Sequence, residues 1–173
     1  TANISIHDTE KTVSKTIAIT QGGETHFDVN LSEAGLLSSY ITKEVKDKLE
    51  SLKVSGLLNG DDICIIREMA GVNHLGEKTE GKLAILDLTD AKIVEGGSAY
   101  YYPSNPVFKT AYTKNATIGR FMFAGCRSLT KLILPVECIE IEERGVEDCE
   151  NLIDIVIFNN VKYIREWAFN NCA

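Results

Sequence analysis

Between residues 118 and 173 the amino-acid sequence repeats itself every 23 positions. IGRFMFAGCRSLTKLILPVECIE (118–140) is followed by IEERGVEDCENLIDIVIFNNVKY (141–163) and then by IREWAFNNCA (164–173). Ile118, Ile141 and Ile164 align, as do Phe123, Val146 and Phe169, and Cys126, Cys149 and Cys172. Leu129 and Leu152, Leu132 and Ile155, and Leu134 and Ile157 supply an L-x-x-L-x-L frame. One such unit cannot bury its own apolar edge and becomes stable only by stacking on a neighbour. The period therefore predicts an α/β repeat fold: a right-handed solenoid with a parallel β-sheet along one face.

The same frame occurs upstream. Leu49, Leu52 and Val54 carry it in one segment, and Leu83, Leu86 and Leu88 in another, with Leu83 two periods before Leu129. Four rungs are thus predicted, at 49–54, 83–88, 129–134 and 152–157. DDICIIREMAG reads as a helix begun by Asp61 or Asp62 and ended by Gly71, with Ile63, Ile66 and Ala70 facing inward. The aromatic-rich segment 96–117 does not fit the repeat and is read as an inserted loop. Residues 1–48 are assigned to an N-terminal α/β cap and residues 49–173 to the solenoid, its last repeat incomplete. Within the cap, short strands are expected around Ile4 and Ile6, Ile17 and Ile19, and Phe27 and Val29, with a hairpin turn at Gly22–Gly23. Helical spacing runs over 33–50 through Leu36, Leu37, Tyr40, Ile41, Val45 and Leu49, and Thr42 is placed to cap a second helical turn. No matching cap follows the last rung. An uncovered parallel edge calls for further chain, an end-to-end dimer, or a half-repeat that shields it.

Composition excludes several classes of function. The net charge is −7 over 173 residues and there is no basic stripe, so a nucleic-acid partner is not expected. The longest apolar runs, such as LIDIVIF, have strand length and fall well short of the roughly 20 residues of a membrane span. His7, His26 and His74 are scattered, and there is no H-x-x-x-H, G-x-S-x-G, G-x-x-x-x-G-K-[ST] or G-x-G-x-x-G. Neither catalysis nor a metal or cofactor is expected. Of the five cysteines, Cys126, Cys149 and Cys172 share a repeat phase and should stack about 4.8 Å apart. They are read as small buried apolar fillers rather than as a redox or metal ladder.

In each rung alternate side chains leave the core and point onto the sheet face. This gives two outward columns, Lys53, Asp87, Ile133 and Val156, and Ser51, Ile85, Lys131 and Asp154. Lys53 is expected near Asp87 and Lys131 near Asp154. Ile133 beside Val156, with Ile85 close by, forms an apolar strip that is the candidate protein-contact patch, flanked by Lys131 and Asp154. Tyr100, Tyr101 and Tyr102 are a second candidate, since tyrosines offer stiff contact area with a polar tip. The competing reading folds them back onto the flank with Phe108 and Tyr112, in a loop held by Pro103 and Pro106. Phe121, Arg144 and Trp167 share a phase, which sets Arg144 between two rings as a structural cation–π stack.

The motif F-x-x-C-x-x-L-x-x-[IL]-x-[LI] after Ile-Gly, present as IGRFMFAGCRSLTKLILP and more loosely as IEERGVEDCENLIDIVIF, resembles the BspA-like leucine-rich-repeat family of bacterial surface proteins. SLKVSGLLNGDDICIIREMAG and KLAILDLTDAKIVEGG are similar to the amino-terminal part of such proteins in Bacteroidetes. The resemblance covers about residues 31–173. It departs from the pattern where no Gly follows Ile141 and Ile164, and where Val146 replaces Phe. It implies a cell-surface or secreted protein, with room for a lipid anchor upstream, that adheres to an extracellular or host protein and carries no catalytic residues. A structural spacer within a longer solenoid and a glycan-binding module are the alternatives.

Overall fold

Where apolar residues alternate with polar ones the chain makes strands, and where they recur at the repeat period the strands stack. The computed structural model describes residues 25–173, and upstream of them the backbone of three short strands. In chain order the elements are β1 (Ile6–Asp8), β2 (Lys11–Val13), β3 (Thr16–Ile19), β4 (Thr25–Leu31), α1 (Leu37–Tyr40), α2 (Lys43–Lys46), β5 (Ser51–Leu58) and α3 (Gly60–Met69). They continue with β6 (Ile85–Asp87), β7 (Ala91–Ile93), β8 (Thr117–Ile118), β9 (Lys131–Ile133), β10 (Glu140–Ile141), β11 (Asp154–Val156) and β12 (Tyr163–Ile164).

The main sheet runs β11-β9-β6-β5-β4-β3, with β7 beside the second half of β5. Every pair in it is parallel except β3 with β4. Its register is that of the L-x-x-L-x-L frame: Leu52, Leu86, Leu132 and Ile155 are successive partners. Their side chains enter the core, where Leu52, Leu86 and Leu132 are fully buried. A second parallel sheet, β12-β10-β8, places Ile118, Ile141 and Ile164 side by side. Ile118, Phe123, Cys126 and Leu129 from one repeat, and Ile141, Val146, Cys149 and Leu152 from the next, fill the space between the sheets.

Between the sheets the chain turns through two left-handed residues per repeat. Phe121, Arg144 and Trp167 have φ of 58°, 57° and 57°, and Gly125, Asp148 and Asn171 have 74°, 56° and 55°. A side chain in this region costs about 1 kcal/mol, and only Gly125 avoids it. The conformation holds because each turn bonds the next. Phe123 N–H donates to Gly145 O at 2.8 Å and Val146 N–H to Ala168 O at 2.8 Å; Gly125 and Asp148 N–H donate to Glu147 O and Asn170 O. The cysteine column follows the same spacing, with Cys149 Sγ on Phe123 O and Cys172 Sγ on Val146 O, each at 3.1 Å. Burial pushes the Cys126 thiol up to about 11. The bond to Cys172, together with burial, pushes Cys149 up as well. The same contact, with Cys149 as donor, lowers the Cys172 thiol.

α3 connects β5 to β6 and is capped at both ends. Asn59 caps it, accepting from Asp61 N–H, while Asp62 returns a bond to Asn59 N–H to complete a capping box. The Asp62 carboxylate also accepts from Gly35 N–H at 2.6 Å and Leu37 N–H at 2.9 Å, pinning the preceding segment to the helix. At the other end Gly71 (φ 96°) closes the helix, with Gly71 N–H on Glu68 O and Val72 N–H on Arg67 O. Arg67 is fully buried. Its Nη1 donates to the carbonyls of Phe121, Met122 and Ala124 and its Nη2 to that of Asn73, joining α3 to the first left-handed turn.

Four local expectations change. The helical spacing over 33–50 resolves into two single-turn helices, because Ile41 and Thr42 are extended. Thr42 does sit at the start of α2, but its carbonyl takes the Val45 and Lys46 N–H groups and its hydroxyl makes no cap bond. The long helix starts at Gly60, capped by Asn59 rather than by Asp61 or Asp62. Segment 1–48 is more than a cover, since β4 pairs in parallel with β5 and adds a rung to the sheet. The Gly22–Gly23 turn lies outside the described residues.

Candidate protein-contact surface

The outer face of the main sheet carries the two columns in the expected order. Ser51, Ile85, Lys131 and Asp154 are successive register partners, and so are Lys53, Asp87, Ile133 and Val156. Ile85, Ile133 and Val156 are half-buried, and Ile133 and Val156 are register partners on neighbouring strands, about 4.8 Å apart. Ile85 stands opposite Lys131 and diagonal to Ile133, about 7–8 Å away and within reach of a long side chain. Lys131 Nζ meets Asp154 Oδ2 at 2.7 Å and borders these apolar residues with charge. Lys53 takes another partner: its ammonium bonds Asp90 at 3.0 Å, while Asp87 accepts from the Thr89 amide and hydroxyl. A turn directly after β6 thus claims the carboxylate that register alone assigns to Lys53. The Asp90 bond raises the Lys53 pKa.

β4 extends both columns with residues that were not among the candidates. His26 is the partner of Ser51 and Asp28 of Lys53. His26 Nδ1 lies 2.8 Å from Ser51 Oγ and His26 Nε2 lies 2.9 Å from Asp28 Oδ1, a hydroxyl–imidazole–carboxylate chain. This is the connectivity of an activated nucleophile. It spans β4 and β5, where Glu50 N–H also donates to Thr25 O. The signal was present in the sequence, since His26, Asp28 and Asn30 alternate with Phe27, Val29 and Leu31.

The three tyrosines separate. Tyr100 is fully buried, and its hydroxyl donates to Arg120 O at 3.0 Å, so it is removed from the contact candidates. Burial raises its pKa well above the ordinary phenol value. Tyr101 is half-buried, 4.8 Å from the Phe121 ring and under the Arg67 guanidinium. Tyr102 remains 43% exposed, edge-on to His74 at 5.7 Å. The loop therefore packs on the flank, away from the strip. It also replaces one member of the expected stack: Arg144 lies between Trp167 at 4.1 Å and Phe108 at 5.5 Å, while Phe121 packs on Phe108 and Tyr101.

The buried phenol explains a departure in the repeat. A Cβ at Gly119 would stand 2.4 Å from Tyr100 Oη. The equivalent positions, Glu142 and Arg165, carry long side chains, and the Arg165 guanidinium lies over the Tyr163 ring, 4.9 Å from its centroid. Beside the loop a groove of about 680 Å³ runs between residues 109–114 and the flank of the second sheet. Among the described residues no cluster of His, Cys, Asp or Glu could hold a metal ion, and no helix is long and apolar enough to cross a membrane.

Residues 97–173 match the family model described as BspA type leucine rich repeat region, in six copies. The match opens inside the segment read from sequence as an insertion, and the rungs at β5 and β6 lie before it. No curated protein matches the chain.

Proposed function

Since residues 97–173 belong to the BspA-type leucine-rich-repeat family, we propose that this protein binds another protein through the outer face of its main sheet. The repeats then act as a right-handed solenoid whose face is a ready-made contact surface, and the role is adhesion without catalysis. Leucine-rich repeats serve protein–protein interaction in general, and members of this family are often surface or secreted proteins. Both facts favour an extracellular or host protein as the partner.

One observation carries the reading. Ile133 and Val156 stand side by side on a solvent-facing sheet, with Ile85 diagonal to Ile133 and the Lys131–Asp154 pair at their border. A rigid apolar centre rimmed by charge is the arrangement from which binding hot spots are built. The rim pair itself stabilises little, about 0.2–1 kcal/mol, and serves orientation.

A panel of purified extracellular-matrix proteins tests the proposal, comparing wild type with the double variant Ile133→Asp, Val156→Asp. Affinity for a bound matrix protein should fall at least about tenfold while the melting transition is kept. Undiminished binding by the folded double variant rejects the strip as the contact site.

A further inference from the structure

The groove on the flank has an open main-chain edge beside the isolated bridge at Ala111. Ala111 N–H donates to Tyr101 O at 2.9 Å and Tyr100 N–H to Ala111 O at 3.1 Å, so residue 111 forms an antiparallel bridge with residue 101. In such a pair both main-chain groups of Ala111 face the partner strand, and those of Thr110 and Tyr112 face the opposite way. Among the described residues, none of the four N–H and C=O groups of Thr110 and Tyr112 has a partner. Both residues line the groove.

The opposite wall is charged and already paired. Arg120 Nη2 meets Glu143 at 2.7 Å, Arg165 Nε meets Glu140 at 2.6 Å, and Lys114 pairs with Glu142. The lining holds cations and carboxylates in equal number, so it selects neither a polyphosphate nor a polycation. Such a wall suits the neutral, hydrogen-bonding main chain of a peptide. Lys109 and Glu166 also line the groove, and among the described residues neither has an ionic partner.

We propose that this groove binds an extended peptide segment of another protein as an added strand, its main chain pairing with Thr110 and Tyr112. Strand addition of this kind draws affinity from backbone bonds and selectivity from the side chains along the walls. Lys109 and Glu166 select one acidic and one basic side chain in the incoming segment. The site is separate from the strip on the main sheet and does not depend on it.

The probe is a phage-displayed library of random linear peptides selected on the intact chain. Selected peptides should lose affinity at least about tenfold when alternate backbone amides are N-methylated, the cost of one lost hydrogen bond, and tolerate methylation between them. The Thr110 and Tyr112 amides should slow their hydrogen exchange by a similar factor when peptide is present. Glu166→Lys, on an exposed side chain, should shift the selected sequences away from basic residues. The double variant Ile133→Asp, Val156→Asp should bind the same peptides unchanged. Even tolerance of N-methylation along the peptide, protection confined to the main sheet, or recovery of no binding peptide at all overturns the proposal. An oligosaccharide that protects Thr110 and Tyr112 where peptides do not would overturn it as well.

Discussion

Two connections in this protein do the same job by different means. β5 reaches β6 through α3, and Ser51 and Ile85 are register partners 34 residues apart. β9 reaches β11 through left-handed turns, and Lys131 and Asp154 are partners only 23 residues apart. The helical connection satisfies much of its ends from its own segment, through Asn59, Asp62 and Gly71, while Gly60 N–H reaches Gly96 O and Ser128 N–H reaches Ala70 O. The short connection satisfies its carbonyls through the following repeat, Gly145 O through Phe123 and Ala168 O through Val146. Stability is therefore more local in the first case and more fully borrowed from neighbours in the second.

The strongest test of that contrast lies where the two connections meet. Arg67→Met removes the donors for Phe121 O, Met122 O, Ala124 O and Asn73 O, leaving carbonyls unpaired in the interior. A loss of about 3 kcal/mol is expected in urea unfolding. A midpoint equal to wild type would mean that helix and turns are not coupled through this side chain.

A smaller loss isolates the helical side. Asp62→Ala deprives Asn59, Gly35 and Leu37 N–H of their acceptor and should cost about 2 kcal/mol. Its signature is regional, with faster amide exchange in α1 and the start of α3 and unchanged exchange in β9–β11. Uniform loss of protection would contradict the more local character given to this connection.

The smallest effect has the opposite sign. Asp148→Gly replaces a strained left-handed residue by the type already present at Gly125, and gives up only an exposed bond from Asn171. A gain of up to about 1 kcal/mol is expected, reduced by the greater freedom of glycine in the unfolded chain. Calorimetry showing a clearly lowered melting temperature would count against strain as the cost that stacking offsets.

Much of this was legible in the sequence because a period is a statement about contacts. Ile118 and Ile141, Leu132 and Ile155, and Lys131 and Asp154 touch for the reason that they recur. Elements without periodicity were lost. β8, β10 and β12 are two residues long, too short for any alternation to show. The helical spacing over 33–50 competed with tertiary bonds from Asp62 to Gly35 and Leu37, which no local pattern encodes. The register that places Ile133 beside Val156 was legible because it follows the repeat. The Lys53–Asp90 pair and the flank groove were not, since both depend on loops whose course has no repeat to follow.

The contact between Tyr100 and Gly119 works as an address. Only one rung of the ladder offers a bare α-carbon at that height, and the rungs that follow present Glu142 and Arg165 instead. Moving the aromatic segment one step along would drive a phenol into a carboxylate's stem. The ornament on this flank can therefore be worn at a single place, although the scaffold beneath it is written in copies.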